Sequence, residues 1–159
     1  MLIFLDIDGV MVPAKSWESP KLLSDGFPEF STKAVRVLQN LISVDTTIML
    51  TTSHKARFNI EEWKEIFHKR GITVTNLESL DECNLGVSRL DEILNWVKIN
   101  SINEDFVIID DDMSLNALPS FLKDNLILTS PMVGLTDSHF QIIQSKFGGK
   151  LPSSCGAQS

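Results

Sequence analysis

Cysteine is scarce in this chain of 159 residues. Cys83 and Cys155 lie far apart with no CxxC pair, so a disulfide-stapled framework is excluded. Basic residues are also few, 14 against 21 acidic ones, for a formal net charge of −7. That balance argues against a broad cationic footprint for nucleic acid, though not against a local cationic groove. No apolar run approaches the ~18 residues of a membrane helix. Met1 to Leu5 is apolar but reaches Asp6 at once, without the basic lead and longer apolar stretch of a signal peptide. The expected location is therefore cytoplasmic, with reduced thiols. There is no internal repeat and no low-complexity segment.

What is present fits a globular chain. Hydrophobic residues make up 43% and charged residues 22%, close to average usage. The length suits one domain, over residues 1–150, followed by a loose tail at 151–159. Short apolar runs alternate with amphipathic segments. The runs are Leu2–Leu5, Thr46–Leu50, Ile72–Thr75, Phe106–Ile109 and Leu126–Leu128. Near-continuous apolar runs suit strands buried on both faces of a parallel sheet. The spacing predicts helices at about Lys33–Leu41 (capped by Thr32), Ile60–Lys69 (capped by Asn59, closed by Gly71), Arg89–Lys98 and Asp137–Phe147 (capped by Thr136). This alternation predicts an α/β, three-layer doubly wound, Rossmann-like domain with a five-stranded parallel sheet. Gly9–Ser31 is the exception, a long Pro- and Ser-rich loop or flap directly after the first strand.

In such sheets, ligands bind outside the carboxyl ends of the strands. The first strand ends in Asp6-Ile7-Asp8-Gly9. The second ends in Thr51-Thr52-Ser53, followed by His54 and Lys55. The fourth ends in Asp110-Asp111-Asp112. Carboxylates converging on one sheet edge repel unless a cation joins them. Mg²⁺ suits such a site, since it binds one or two carboxylates together with a substrate phosphate. The hydroxyls and Lys55 are groups a phosphate needs.

These strand ends resemble the haloacid dehalogenase-like (HAD) superfamily. LIFLDIDGVMVP resembles its first motif, IMLTTS the second and VIIDDD the fourth, in the right order. The chain also resembles the small uncapped HAD domain of Swiss Army Knife RNA repair proteins. Trp17, Thr52-Ser53-His54-Lys55, Arg89-Leu90-Asp91-Glu92-Ile93, Ile109-Asp110-Asp111 and Gly134-Leu135-Thr136 stand at its motifs, over roughly residues 1–147. His54 and Lys55 replace a Trp and an Arg of that pattern.

The resemblance implies an HAD fold without a large cap domain and a Mg²⁺-dependent phosphatase. Asp6 would be the nucleophile that forms an aspartyl phosphate. Asp8 would protonate the leaving oxygen and then activate water, and its backbone carbonyl would reach the metal. Asp6 and Asp110 would ligate the metal, with Asp111 a second ligand or outer partner. Thr51 would bind phosphoryl oxygens, with Thr52 the alternative. The phosphate-neutralising cation would be Arg89, with Lys55 as rival. Each residue also has a plainer reading. Asp6 and Asp8 could cap a turn, Asp112 could cap the next helix, Arg89 could face solvent, and Trp17 could line the site or pin the loop. Trp63 and Trp96 read as core, His68 as a solvated helix residue, and His54 as a candidate substrate contact.

An uncapped site is open, which suits a large phosphorylated substrate such as a nucleic-acid end or a phosphoprotein. Two other functions compete. A signalling receiver domain also uses acidic residues, a hydroxyl and a cation, but places its phosphate-accepting Asp after the third strand. An inactive HAD-like binding module would be expected to lack Asp6 or Asp8.

Overall fold

The computed structural model describes residues 1–14, 21–80 and 87–148. Trp17, both cysteines and the tail at 151–159 lie outside the described residues. Five strands form one parallel sheet: β1 (Leu2–Leu5), β2 (Thr47–Leu50), β3 (Asn76–Ser79), β4 (Phe106–Asp110) and β5 (Leu126–Leu128). Their order is β3-β2-β1-β4-β5. A receiver domain has its strands in the order 2-1-3-4-5, so that topology is excluded. The direction of winding reverses between β1 and β4, where doubly wound sheets open a ligand crevice.

Alternation along β1 feeds two cores. Ile3 and Leu5 join Ile48, Leu50, Val107, Ile109 and Ile127 on one face. There they pack against α1 (Thr32–Leu41), α2 (Ile60–Lys69) and α5 (Asp137–Phe147), through Leu38, Trp63 and Ile143 among others. Leu2 and Phe4 join Met49 and Ile108 on the other face, under Ile93 of α3 (Arg89–Asn100) and Leu122 of the short α4 (Ser120–Lys123). Both faces of β1 are therefore covered, which is why it reads as an unbroken apolar run. Trp63 is fully buried, and Trp96 sets its ring against Phe4 at 5.4 Å, so both belong to the core.

Two expectations are corrected. The third strand is Asn76–Ser79, not Ile72–Thr75. Ile72 and Val74 are buried where the chain leaves Gly71 for the sheet, so their apolar character marks an approach to the core. The edge strand itself needs only Leu77 inside. The cap of α1 is Ser31, whose side chain accepts from the Ala34 N–H at 3.1 Å, and Thr32 is the first helical residue. Asn59 caps α2 in a capping box with Glu62, and Thr136 precedes α5, as the sequence predicts. α3 runs two residues beyond Lys98.

Part of the described segment after β1 is packed into the core. Val10, Met11, Val12, Phe27 and Phe30 are all buried. Residues 21–29 fold back on themselves through the Leu22–Pro28 bridge and the bond from Glu29 N to Lys21 O. Arg70, next to the end of α2, holds this hairpin. Its Nη1 and Nη2 pair with Asp25 at 2.7 and 3.0 Å. Its remaining donors reach the carbonyls of Pro28, Ile66 and Phe27. All five guanidinium N–H groups are thereby satisfied. The same pairing lowers the pKa of Asp25. Replacing Arg70 by Met should cost about 3–5 kcal/mol, because it strands a carboxylate and three carbonyls. Thermal unfolding should then shift down by ~6 °C or more. A shift under ~2 °C would show that the hairpin stands without Arg70.

Candidate active site

Strand register brings the sequence motifs together. Leu5 of β1 pairs with Leu50 of β2 and Ile109 of β4. The next residues, Asp6, Thr51 and Asp110, therefore stand side by side at the carboxyl edge. The ladder continues into them, with Asp6 N bonded to Ile109 O and Thr51 N to Leu5 O.

Asp6 is 4% exposed and Asp110 fully buried. With Asp111 they form a carboxylate group whose ligand oxygens all lie within 4.8 Å of one another. Asp110 is the fixed member. Its Oδ1 accepts the backbone N–H groups of Asp111 and Asp112 at 2.8 and 3.0 Å. Arg89, the first residue of α3, donates from Nη1 to Asp110 Oδ2 at 2.8 Å and lies 3.3 Å from Asp6 Oδ2. Ser88 caps α3 beneath it, accepting from Asp91 N.

The charges are strongly perturbed. Burial, reinforced by the Asp110 charge, pushes the Asp6 carboxyl from 3.8 up to about 8, even against Arg89. Burial raises Asp111 as well. Although burial opposes it, the Asp6 and Asp110 carboxylates push the Arg89 guanidinium above its ordinary value. One guanidinium is too little positive charge for three clustered carboxylates.

Gly9 makes room for this cluster. It has φ +80°, and a Cβ there would collide with the Asp111 carboxylate. Its carbonyl accepts the buried Thr129 hydroxyl at 2.7 Å. Gly134, at the other motif glycine, lets the turn after β5 close on Val10, whose carbonyl accepts from Leu135 N at 2.8 Å. The late Gly-Leu-Thr thus clamps the chain that follows the first motif.

Two buried polar side-chain atoms among the described residues have no partner, Thr51 Oγ1 and Arg89 Nε. Both belong to this site. A buried unpaired hydroxyl is unfavourable by about 1–3 kcal/mol, so it points to a ligand that accepts from or donates to it. The Thr52 hydroxyl differs, since it accepts the backbone N–H of His54 at 3.2 Å.

The other sequence candidates are placed as follows. The Asp8 carboxylate stands outside the cluster. It is half exposed, and its Oδ2 lies 2.7 Å from His54 Nε2. The backbone turns after Asp6, with the N–H groups of Val10, Met11 and Val12 all bonded to Ile7 O. Lys55 is buried in the short 3-10 turn Lys55–Arg57, and its Nζ faces Glu92 at 3.4 Å. Arg89, not Lys55, is the cation on Asp6 and Asp110. Asp112 accepts from Ser114 N as a cap. His68 is exposed on α2, and His139 accepts from Thr136 N at the start of α5.

Sequence reasoning did not find three partners: Glu92 for Lys55, His54 for Asp8 and Arg57 for His54. Glu92 stood in the Arg89–Ile93 motif, while His54 and Arg57 had only their closeness in the chain to the second strand end. Three oxygen-only carboxylates in reach of one point, one of them carrying a pKa of about 8, fit a hard divalent cation such as Mg²⁺. Among the described residues, no large cap covers the sheet edge and no helix is long and apolar enough to cross a membrane. Comparison with curated proteins returns no match. A family model described as the HAD domain in Swiss Army Knife RNA repair proteins matches residues 2–140, nearly all of the sheet and its helices. The chain belongs to that family of HAD domains, whose kinship is with hydrolases of the phosphatase kind.

Proposed function

We propose that the chain is a cytoplasmic, Mg²⁺-dependent phosphomonoester hydrolase that works through an aspartyl phosphate on Asp6. The observation that carries this reading is the neighbourhood of Asp6. It combines a buried carboxylate, the Arg89 guanidinium 3.3 Å away and the unpartnered Thr51 hydroxyl on the adjoining strand end. Asp6, Asp110 and Asp111 would hold the Mg²⁺. The cation would offset the repulsion between carboxylate and phosphate and stabilise charge on the phosphoryl oxygens. Arg89 Nε and Thr51 Oγ1 would bind those oxygens. An Asp6 oxygen would attack phosphorus as the ester bond breaks, and Asp8 would give its proton to the leaving oxygen. Asp8 would then take a proton from the water that cleaves the acyl phosphate.

The uncovered sheet edge favours a large substrate. Kinship with domains of RNA repair proteins favours a nucleic-acid end over a phosphoprotein. The net charge of −7 then requires recognition through local groups, not a broad field. The inactive-module reading is disfavoured by the presence of Asp6, Asp8, Arg89 and a free Thr51 hydroxyl together. The test is acid quenching during turnover, followed by mass spectrometry. A peptide containing Asp6 should carry the added mass of one phosphoryl group, labile to hydroxylamine. Turnover with no such adduct would contradict the covalent route.

A further inference from the structure

We propose that His54 is the positioning residue for Asp8, and that the chain Arg57–His54–Asp8 fixes which Asp8 oxygen faces the substrate. The inference rests on the phosphatase reading above and adds a residue to it. His54 bridges two groups. Its Nε2 lies 2.7 Å from Asp8 Oδ2, and its Nδ1 lies 3.2 Å from Arg57 Nη1. A guanidinium has donors only, so Nδ1 of His54 must accept. The ring proton then sits on Nε2 and is donated to Asp8 Oδ2.

The ring has little freedom to turn away. Phe27 meets it edge-on at 5.6 Å. Arg57 in turn lies over the rings of Phe27 and Phe58 at 5.8 and 5.3 Å. The His54 backbone N–H is tied to the Thr52 hydroxyl. Phe27 belongs to the hairpin that Arg70 clamps, so a segment remote from the carboxylate cluster braces the Asp8 partner.

The consequence is directional. With Oδ2 engaged by His54, Oδ1 is the oxygen that carries and returns the proton. In the first half-reaction the Asp6 oxygen–phosphorus bond forms and the ester phosphorus–oxygen bond breaks. The proton on Asp8 Oδ1 passes to the leaving oxygen, giving the free alcohol. In the second, Oδ1 takes a proton from water. The water oxygen bonds phosphorus, the Asp6–phosphate bond breaks, and inorganic phosphate leaves. His54 keeps its own proton throughout.

The test compares two esters of similar size, nitrophenyl phosphate and nitrobenzyl phosphate, in wild type, His54→Ala and His54→Gln. The benzyl alcohol oxygen needs protonation as it leaves, and the nitrophenolate hardly does. His54→Ala should lower kcat ~10–100-fold on the benzyl ester and under ~3-fold on the phenyl ester. KM should change little. His54→Gln, which keeps an N–H to donate, should recover part of the loss. Equal losses on both esters, or no recovery with Gln, would overturn the inference. Inactivity of the wild type on both esters and on phosphorylated oligonucleotide ends would sink the phosphatase reading and this inference with it. A readout independent of turnover is the ring-nitrogen NMR of His54 in the metal-free protein. A proton on Nε2 and a bare Nδ1 are expected, and the reverse would overturn the assignment.

Discussion

Replacing Asp6 by Asn should lower turnover at least ~10³-fold while leaving the metal-free protein more resistant to heat than the wild type. The two effects share one cause. Asp6 is an ionisable group buried beside Asp110 and Asp111, and its pKa is pushed up from 3.8 to about 8. The amide is nearly the same shape, cannot attack phosphorus, and has no buried proton whose release favours unfolding.

The sign of the pH dependence follows from the raised value. Between about 4 and about 8 the folded chain keeps a proton on Asp6 that the unfolded chain has lost. The stability from this group is fully present below the ordinary carboxylate range and is lost as pH rises through about 8. Metal-free wild type should therefore melt at lower temperature as pH climbs across that window, by on the order of 10 °C from this group. Asp6→Asn should lack that slope. Mg²⁺ should flatten it in the wild type, because it pairs with the ionised carboxylates. Identical pH slopes for Asp6→Asn and wild type would contradict the burial argument.

Arg89→Ala should damage both rate and fold. It removes the cation that lies 2.8 Å from Asp110 and 3.3 Å from Asp6. Breaking a buried ion pair by deleting one partner costs about 3–5 kcal/mol, because the remaining charges stay buried. Turnover should fall ~10²-fold or more, as when one preorganised donor to a developing charge is removed. Mg²⁺ should recover much of the stability and little of the rate. Arg89→Lys should recover stability better than rate, since a point charge cannot serve Asp110 and a phosphoryl oxygen together. Turnover within ~3-fold of wild type in Arg89→Ala, with stability lost, would leave Arg89 as a partner of Asp110 and nothing more.

The strand ends were legible because β1, β2 and β4 are covered on both faces. Burial on both sides forces unbroken apolar runs, and the first polar residue after each run marks the sheet edge. Asp6, the Thr51-Thr52 pair and Asp110 could be named on that ground. The choice between Thr51 and Thr52 could not be made, because a strand end is uncertain by one residue. The Leu5–Leu50 register sets Thr51 beside Asp6, and the Thr52 hydroxyl is engaged by the His54 N–H. β3 was misplaced because an edge strand needs a single inward residue, Leu77, and the stronger apolar signal came from the approach to it.

What no local pattern could show were pairings across long stretches of chain. Asp8 and His54 are 46 residues apart, and Asp25 and Arg70 are 45 apart. Nothing near Arg70 in sequence says that its five donors hold a hairpin. Likewise, nothing near Asp8 in sequence says that the chain turns around the Ile7 carbonyl and that the Asp8 carboxylate lies 2.7 Å from His54.

The most direct measurement is release of inorganic phosphate from a panel of monoesters, by wild type and Asp6→Asn, with and without Mg²⁺. The panel should hold nitrophenyl phosphate, nucleotides, oligonucleotides phosphorylated at either end, and phosphopeptides. The account predicts release that requires both Mg²⁺ and Asp6, greatest on a phosphorylated oligonucleotide end. Release that survives Asp6→Asn, or that proceeds equally well in a chelator, would contradict it.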